Sequence, residues 1–205
     1  AHGPEGKDRS LLAKFSYASD LPKCLTEPME AMYGILKKAG SRGEVTFETR
    51  INDKGTSFLI DPTFRQPFPA SNTKLANVDN IAEIYYEGSR GNIVVPKIKK
   101  VYMAELIINS PWLARNSGVM KWDNKFDDRV KPLRFYMDGK VCHIVPELSK
   151  DDKCAGSVVG IGSTPQEAVD QVAEAVDTVE LIDADKGIGA LTDLLETVKL
   201  SLIHI

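Results

Sequence analysis

The sequence has few cysteines, no long apolar run and no excess of positive charge. Its three cysteines, Cys24, Cys142 and Cys154, are odd in number and widely separated, which excludes a disulfide scaffold and is typical of reduced thiols in a cytosolic protein. No stretch approaches the roughly 18 uncharged apolar residues that a membrane-spanning helix needs. The 26 basic and 29 acidic side chains give a net charge of −3, whereas dedicated nucleic-acid-binding proteins normally show a basic excess. We therefore expect a cytoplasmic protein with neither a membrane nor a nucleic-acid partner.

The chain does have enough apolar sequence for a folded core. Of its 205 residues, 42% are hydrophobic and 27% are charged, a balance typical of globular domains. At roughly 150 residues per domain, this length corresponds to one or two domains. The chain begins with a polar stretch rather than with Met, and residues 200–205 are apolar without a closing cap. We expect a fragment of a longer protein, in which 200–205 are either a buried last strand or non-native sequence.

The order of the predicted elements indicates an α+β fold. Apolar residues at helical spacing predict three helices, over 26–38, 78–87 and 190–199. A capping box at Thr164, with Pro165 at the first helical position, predicts a fourth helix. Alternating or continuous apolar runs predict strands over 44–51, 57–61, 97–108, 133–137, 140–145 and 157–161. Residues 1–20 lack periodicity and are predicted to be a loop, and Gly160 and Gly162 are interpreted as a tight turn between strand and helix rather than as a phosphate loop.

The first predicted hairpin carries the most informative side chains, and two registers are possible for it. A three-residue loop pairs Asn52 with Thr56 and places Phe58 and Ile60 on the polar face. A four-residue loop pairs Asn52 with Ser57 and leaves every apolar residue on one face. Because the hydrophobic pattern sets the register of a half-buried ribbon, we prefer the four-residue loop.

In that register Glu48 and Asp61 are direct cross-strand neighbours, with Cβ atoms about 5 Å apart. Two carboxylates at this spacing repel each other unless a cation lies between them, and Mg²⁺ binds carboxylate oxygens while leaving positions for phosphate oxygens. Thr63 and Arg65 share this face if the chain stays extended beyond Asp61, and Arg50 flanks Glu48 on it. These residues predict a metal–phosphate site. The alternative is a solvated face whose acidic side chains pair with Arg50 and Arg65.

The run from Glu48 to Arg65 resembles the metal-binding hairpin of ATP-grasp ligases. In that family, an acidic residue on one strand is followed, after a turn and an apolar strand, by Glu-x-Asn or Glu-x-x-Pro, with Arg shortly after. The spacing is the same here, but Asp61 stands where Glu is usual and Thr63 where Asn is common. A shorter carboxylate and a hydroxyl are still able to bind Mg²⁺.

Two further segments resemble the phosphoribosylamine–glycine ligase branch of this family. The stretch 156–177 is similar to its closing strand–helix segment, and the stretch 3–6 is similar to its Gly-Pro-Asn-Thr-Gly loop without the Asn and Thr. The resemblance covers most of the chain. It implies an ATP-grasp C-terminal subdomain over 1–90, an antiparallel sheet with helices, followed by a small β-rich and helical C-terminal domain over 91–199.

The resemblance also implies an activity, an ATP- and Mg²⁺-dependent (or Mn²⁺-dependent) ligation of a small-molecule carboxylate to an amine through an acyl phosphate, as in purine biosynthesis. It implies that Glu48 and Asp61 hold the metal, that Thr63 and Arg50 contact the cofactor, and that Arg65 is the catalytic residue that orients a phosphate or an anionic substrate end. The family's nucleotide-binding lysines normally precede this hairpin, and none is recognisable before residue 40, so we expect the chain alone to be incomplete and inactive. Two alternatives stay open: a non-catalytic interaction module derived from this fold, and an amino-acid or peptide ligase of the same superfamily.

Overall fold

The helices and strands follow one another in the α+β order expected from the sequence. The computed structural model describes residues 1–6, 10–68, 70–148 and 152–203. Of residues 201–203 it describes only the backbone. The helices are α1 (Lys23–Lys38), α2 (Ser71–Asn77), α3 (Ile81–Ser89), α4 (Pro165–Asp177) and α5 (Gly189–Ile203). The strands are β1 (Leu11–Lys14), β2 (Thr46–Ile51), β3 (Ser57–Thr63), β4 (Tyr102–Asn109), β5 (Gly118–Met120), β6 (Val130–Pro132), β7 (Phe135–Asp138), β8 (Val141–Ile144) and β9 (Cys154–Gly162). No described helix is both long and apolar enough to cross a membrane.

The strands form antiparallel sheets. The main sheet has the order β1-β4-β9-β6, a second sheet is the hairpin β2-β3, and a third has the order β5-β8-β7. In the third sheet the two strands predicted over 133–137 and 140–145 pair as the hairpin β7-β8, which turns at Asp138 and Gly139. Because β1 pairs with β4, the main sheet joins strands from both sides of residue 90, the predicted division of the chain.

The largest core lies between the main sheet and α4. The side chains Val169, Val172 and Val176 recur at helical spacing and are buried against Leu106 and Val158 of the sheet. The predicted cap is confirmed, since Thr164 Oγ1 accepts a hydrogen bond from the backbone N–H of Glu167 at 3.1 Å. The helix α5 adds three leucines to the same core, Leu191, Leu194 and Leu195.

Two predicted features are wrong, and one of the two alternatives for the last residues is excluded. The predicted loop 1–20 contains β1, whose residues Leu11, Leu12 and Ala13 are all buried; a strand covered on both faces shows no alternation that could identify it. The segment between the predicted strand 57–61 and the predicted helix 78–87, for which no element was predicted, contains α2; this helix has a polar sequence and therefore no apolar stripe. Residues 200–203 are helical, and Leu200 is 60% exposed, so they are not a buried strand; His204 and Ile205 lie outside the described residues.

The helix α1 and the hairpin β2-β3 form a separate packing unit, which we call the helix–hairpin unit. These three elements pack mainly against one another and make few contacts with the other helices and strands. The apolar stripe predicted on α1 does not produce a buried face, since the helix has no buried residue and Tyr33 is 65% exposed. The hairpin likewise exposes Phe58 and Ile60. This unit therefore presents apolar surface that the described chain does not cover.

Candidate functional site

The tip of the hairpin closes in the register that we rejected from the sequence. Asn52 N–H donates to the carbonyl of Thr56 at 3.0 Å, and Arg50 lies opposite Phe58. The Asn52 side chain also accepts hydrogen bonds from the backbone N–H groups of Lys54 and Thr56, at 3.0 and 2.9 Å. Gly55 has a φ of +76°, a conformation that favours glycine. Local turn chemistry therefore decides the register at the tip, where the hydrophobic pattern gave the wrong answer.

A β-bulge then restores the pairing that matters for the candidate site. Thr49 pairs with Leu59, whereas Glu48 pairs with Asp61, so Ile60 is an extra residue on β3. The predicted cross-strand pairing of Glu48 with Asp61 is thus confirmed, although the hairpin register from which it was predicted is wrong. Their side chains lie on the same face because directly opposed residues of an antiparallel pair share a face.

The two carboxylates differ in their present partners. Arg50 Nη2 donates to Glu48 Oε1 at 3.0 Å, and these side chains are 73% and 44% exposed. A surface ion pair with this exposure contributes little to stability and opens readily. The Asp61 carboxylate makes no ion pair or hydrogen bond within the described part of the chain. One carboxylate is therefore open and the other is held by an exposed arginine.

Thr63 and Arg65 have different positions relative to this pair. Thr63 is the last residue of β3, two positions beyond Asp61, and so lies on the same face as both carboxylates. The chain bends at Arg65, whose Nη1 donates to the carbonyl of Gln66 at 3.1 Å. The premise that β3 stays extended as far as Arg65 is therefore wrong, and the role of Arg65 stays a prediction.

The donor set suits a cation that takes only part of its coordination from protein. No group of three His, Cys, Asp or Glu side chains that could hold a metal occurs among the described residues. Mg²⁺ commonly uses one or two carboxylates and completes its shell with water and phosphate oxygens. Glu48, Asp61 and the Thr63 hydroxyl fit that pattern, because they offer two adjacent exposed carboxylates and a neutral oxygen on one face of the hairpin.

A second group of polar side chains lies where the base of the hairpin, α2 and the main sheet meet, and Glu105 and Ser157 are its fully buried members. We call it the buried polar cluster (Glu44, Asn72, Lys74, Glu105 and Ser157). Asn72 Nδ2 donates to Glu105 Oε1 at 3.1 Å and to Ser157 Oγ at 3.0 Å. Glu105, in the middle of β4, is completely buried. Lys74 Nζ forms an ion pair with Glu44, and these side chains are only 18% and 19% exposed. The cluster thus connects the base of the hairpin to α2, β4 and β9.

Burial shifts the two central ionisable groups of this cluster in opposite directions. It raises the pKa of Glu105 to about 7, although hydrogen bonds from Ser157 and Asn72 and the charge of Lys74 favour the ionised form. It lowers the pKa of Lys74 to about 8, while the charge of Glu105 acts in the other direction. Both groups therefore titrate near neutral pH, a property that is common in functional sites and in structural charge networks.

The buried polar cluster was not predicted from the sequence, although one residue indicates it. Glu105 is an acidic residue inside the apolar strand Tyr102–Asn109, and carboxylates are almost never fully buried without partners. Its partners could not be identified from the sequence, because Asn72 and Lys74 lie in the polar helix α2, in a segment for which no helix was predicted.

The sequence matches no protein-family model and no curated protein significantly. The structure, in contrast, matches solved ATP-grasp enzymes. It is similar to phosphoribosylamine–glycine ligase from Thermotoga maritima, with a TM-score of 0.60 and 15% identity over 85% of this chain and 44% of that chain. It is also similar to biotin carboxylase from Campylobacter jejuni, solved as a complex with β-γ-ATP, with a TM-score of 0.56 and 15% identity over 91% of this chain and 42% of that chain.

A third similar structure is the biotin carboxylase domain of the 2-oxoglutarate carboxylase from Hydrogenobacter thermophilus, solved with MgADP and bicarbonate. Its TM-score is 0.53 at 16% identity, over 91% of this chain and 42% of that chain. The present chain therefore spans less than half the length of each of these structures. At such low identity the comparisons establish an ATP-grasp-like fold, as the resemblance predicted, and not an activity.

Proposed function

We propose that the chain is the C-terminal portion of an ATP- and Mg²⁺-dependent carboxylate–amine ligase of the phosphoribosylamine–glycine ligase type. The observation that carries this proposal is the pairing of Glu48 with Asp61 on an exposed hairpin face, within an ATP-grasp-like fold. Ligation of a small-molecule carboxylate to an amine requires phosphoryl transfer, in which positioned cations neutralise the developing charge. The hairpin supplies both the anionic ligands for a metal and nearby cationic side chains.

Each residue of the hairpin face has a distinct role in this proposal. Glu48 and Asp61 hold the metal through carboxylate oxygens, and Thr63 adds a hydroxyl. When bound, Mg²⁺ supplies neutralisation of the phosphate charge. Arg50 exchanges Glu48 for a phosphate oxygen, which its weak exposed ion pair permits. Arg65 orients a phosphate or the anionic end of the substrate, and for this it releases the carbonyl of Gln66.

A non-catalytic interaction module is the second candidate, because the hairpin exposes apolar side chains next to its charged face. Phe58 is 52% exposed and Ile60 is 54% exposed. In a ligase this surface is covered by further polypeptide of the same protein, whereas in an interaction module it is covered by a partner protein. Metal binding distinguishes the ligase from the interaction module, because only the ligase requires Glu48 and Asp61 to bind a metal ion.

The first test is a titration with divalent metal. We expect Mg²⁺ at ten times its dissociation constant to raise the melting temperature by roughly 3–6 °C, because such a concentration stabilises a protein by about 1.4 kcal/mol. Mn²⁺ should broaden the backbone NMR signals of residues near Glu48 and Asp61 selectively. Glu48→Gln and Asp61→Asn should each weaken both effects strongly, because each substitution removes one of the two anionic ligands of the proposed site.

The matched control for this titration is Asp53→Asn, at the exposed tip of the same hairpin. It removes the same charge from the same element and should leave the Mg²⁺ and Mn²⁺ effects unchanged. If wild-type protein shows no metal response, or if Asp53→Asn weakens the response as strongly as Glu48→Gln, the ligase assignment fails and the interaction module is favoured.

Nucleotide binding by the chain alone gives a separate prediction. We expect the 205-residue chain to show no tight, Mg²⁺-dependent binding of ATP by calorimetry, because it spans 44% of the ligase structure that it matches and the resemblance places the nucleotide-binding lysines ahead of the hairpin. Tight ATP binding by these residues would show that the nucleotide site is complete without further polypeptide.

A further inference from the structure

The helix–hairpin unit is joined to the rest of the chain mainly by polar contacts. The helix α1 and the strands β2 and β3 pack mainly against one another. Two hydrogen bonds reach α3: Arg42 Nη1 donates to the carbonyl of Ser89 at 3.3 Å, and Tyr85 Oη donates to Glu44 Oε2 at 3.3 Å. A unit held in this way has little apolar burial to oppose its release.

The ion pair between Glu44 and Lys74 is the most buried of these connections. The hydrogen bonds made by Arg42 and by Tyr85 are both exposed to solvent. The side chains of the ion pair, in contrast, keep less than a fifth of their accessible surface. Breaking a buried pair leaves one charge without compensation, and this costs far more than breaking an exposed pair. The stability of the junction therefore depends most strongly on these two side chains.

The two ends of this ion pair belong to different parts of the molecule. Glu44 lies two residues before β2 and four residues before Glu48, so it fixes the base of the strand that carries the candidate site. Lys74 lies on α2, which packs on β4 and β9 and is tied to them through Asn72. A single ion pair thus connects the hairpin strand, through one helix, to the centre of the main sheet.

We propose that the Glu44–Lys74 ion pair is a latch that fastens the helix–hairpin unit to the main sheet, and that its rupture releases this unit while the sheet stays folded. Lys74 carries the latch because it lies between two acidic groups, Glu44 on the hairpin side and Glu105 on the sheet side. The sheet does not depend on the latch, since its core is the separate contact of β4 and β9 with α4. This proposal concerns the mechanics of the chain and does not depend on the ligase assignment.

Hydrogen exchange measured by mass spectrometry on the whole chain tests the latch. In Lys74→Met, which keeps the length and apolar stem of the side chain, we expect peptides from β2 and β3 to exchange at least about tenfold faster. Peptides from β4 and β9 should keep their protection. Glu44→Gln should produce the same pattern from the other side of the ion pair, and it decides the matter if Lys74→Met does not fold.

The matched control is Lys99→Met. Lys99 also bonds to the α2 region, through the carbonyl of Ala76 at 2.9 Å, and pairs with Asp79 at 3.4 Å, but its side chain is 44% exposed. Its replacement should leave the exchange of the hairpin unchanged. The latch is refuted if the sheet loses protection together with the hairpin, because the unit then does not release independently. It is also refuted if neither Lys74→Met nor Glu44→Gln accelerates exchange in the hairpin.

Discussion

Replacing Gly160 with alanine is expected to lower the free energy of unfolding by about 3 kcal/mol, the upper end of the usual range for overpacking. Gly160 lies on β9 directly beneath α4, and an added Cβ would overlap the backbone carbonyl of Ala168 and lie 3.1 Å from Gln171 Cβ. A helix backbone cannot rotate away as a side chain can. The helix α4 must therefore move off the sheet, and the valines on its inner face lose contacts in the largest core. Chemical denaturation of the variant and the wild type measures this loss.

Gly34→Ala is the matched control for this substitution. Gly34 lies inside α1, and nothing lies within 4 Å of an added Cβ. Alanine is a better helix former than glycine by about 0.8–1.0 kcal/mol, so this variant should be as stable as the wild type or more stable. Equal stability of Gly160→Ala and wild type would mean that α4 does not approach β9 as closely as described here.

The close contact at Gly160 also shows what the sequence could and could not reveal about this segment. The capping box at Thr164 and the valine spacing predicted α4 correctly, because both are local signals. The reason for a glycine at position 160 is the proximity of Ala168, eight residues later. The predicted tight turn at Gly160 and Gly162 is wrong, since both residues lie within β9 and pair with β4. The sequence also contains no measure of how close the helix comes to the strand.

The hairpin shows how two local rules can conflict within one element. The hydrophobic alternation of β2 and β3 favoured a four-residue loop, whereas Asn52 and Gly55 favoured a three-residue loop. The structure satisfies the turn first and then uses the bulge at Ile60 to bring Glu48 beside Asp61. The position of a bulge has no dependable sequence signature, so the correct pairing was predicted from an incorrect register.

The buried polar cluster could not be predicted, because its members are distant in sequence. Glu44, Lys74 and Glu105 come from a loop, a polar helix and an apolar strand, and only the fold brings them together. The acidic residue within the β4 sequence was a signal that a partner must exist. The partner residues could not be identified, because they lie on α2, a helix without hydrophobic periodicity.

The same buried carboxyl gives the second large prediction, that Glu105→Gln stabilises the protein at pH 8 and not at pH 4.5. The folded-state pKa of about 7 lies above the ordinary value of 4.5, so the folded chain binds this proton more tightly than the unfolded chain. The contribution of Glu105 to the free energy of unfolding is therefore largest below pH 4.5. It falls as the pH rises from 4.5 to 7 and stays low above pH 7. Glutamine removes the titration while keeping the shape and the oxygen that accepts from Asn72.

The shift of the Glu105 pKa from 4.5 to about 7 corresponds to about 3.5 kcal/mol at most, because each pKa unit is worth about 1.4 kcal/mol. We expect a gain of about 2 kcal/mol at pH 8, since Lys74 loses the favourable charge of Glu105 in the variant. Denaturation midpoints measured from pH 4.5 to 8 should show the variant curve rising above the wild-type curve only on the alkaline side. Glu30→Gln, an exposed change on α1, should show no such divergence. A Glu105→Gln variant that is less stable than wild type at pH 8 would mean that the ionised carboxylate is favoured in the fold, held by Lys74 more strongly than burial disfavours it.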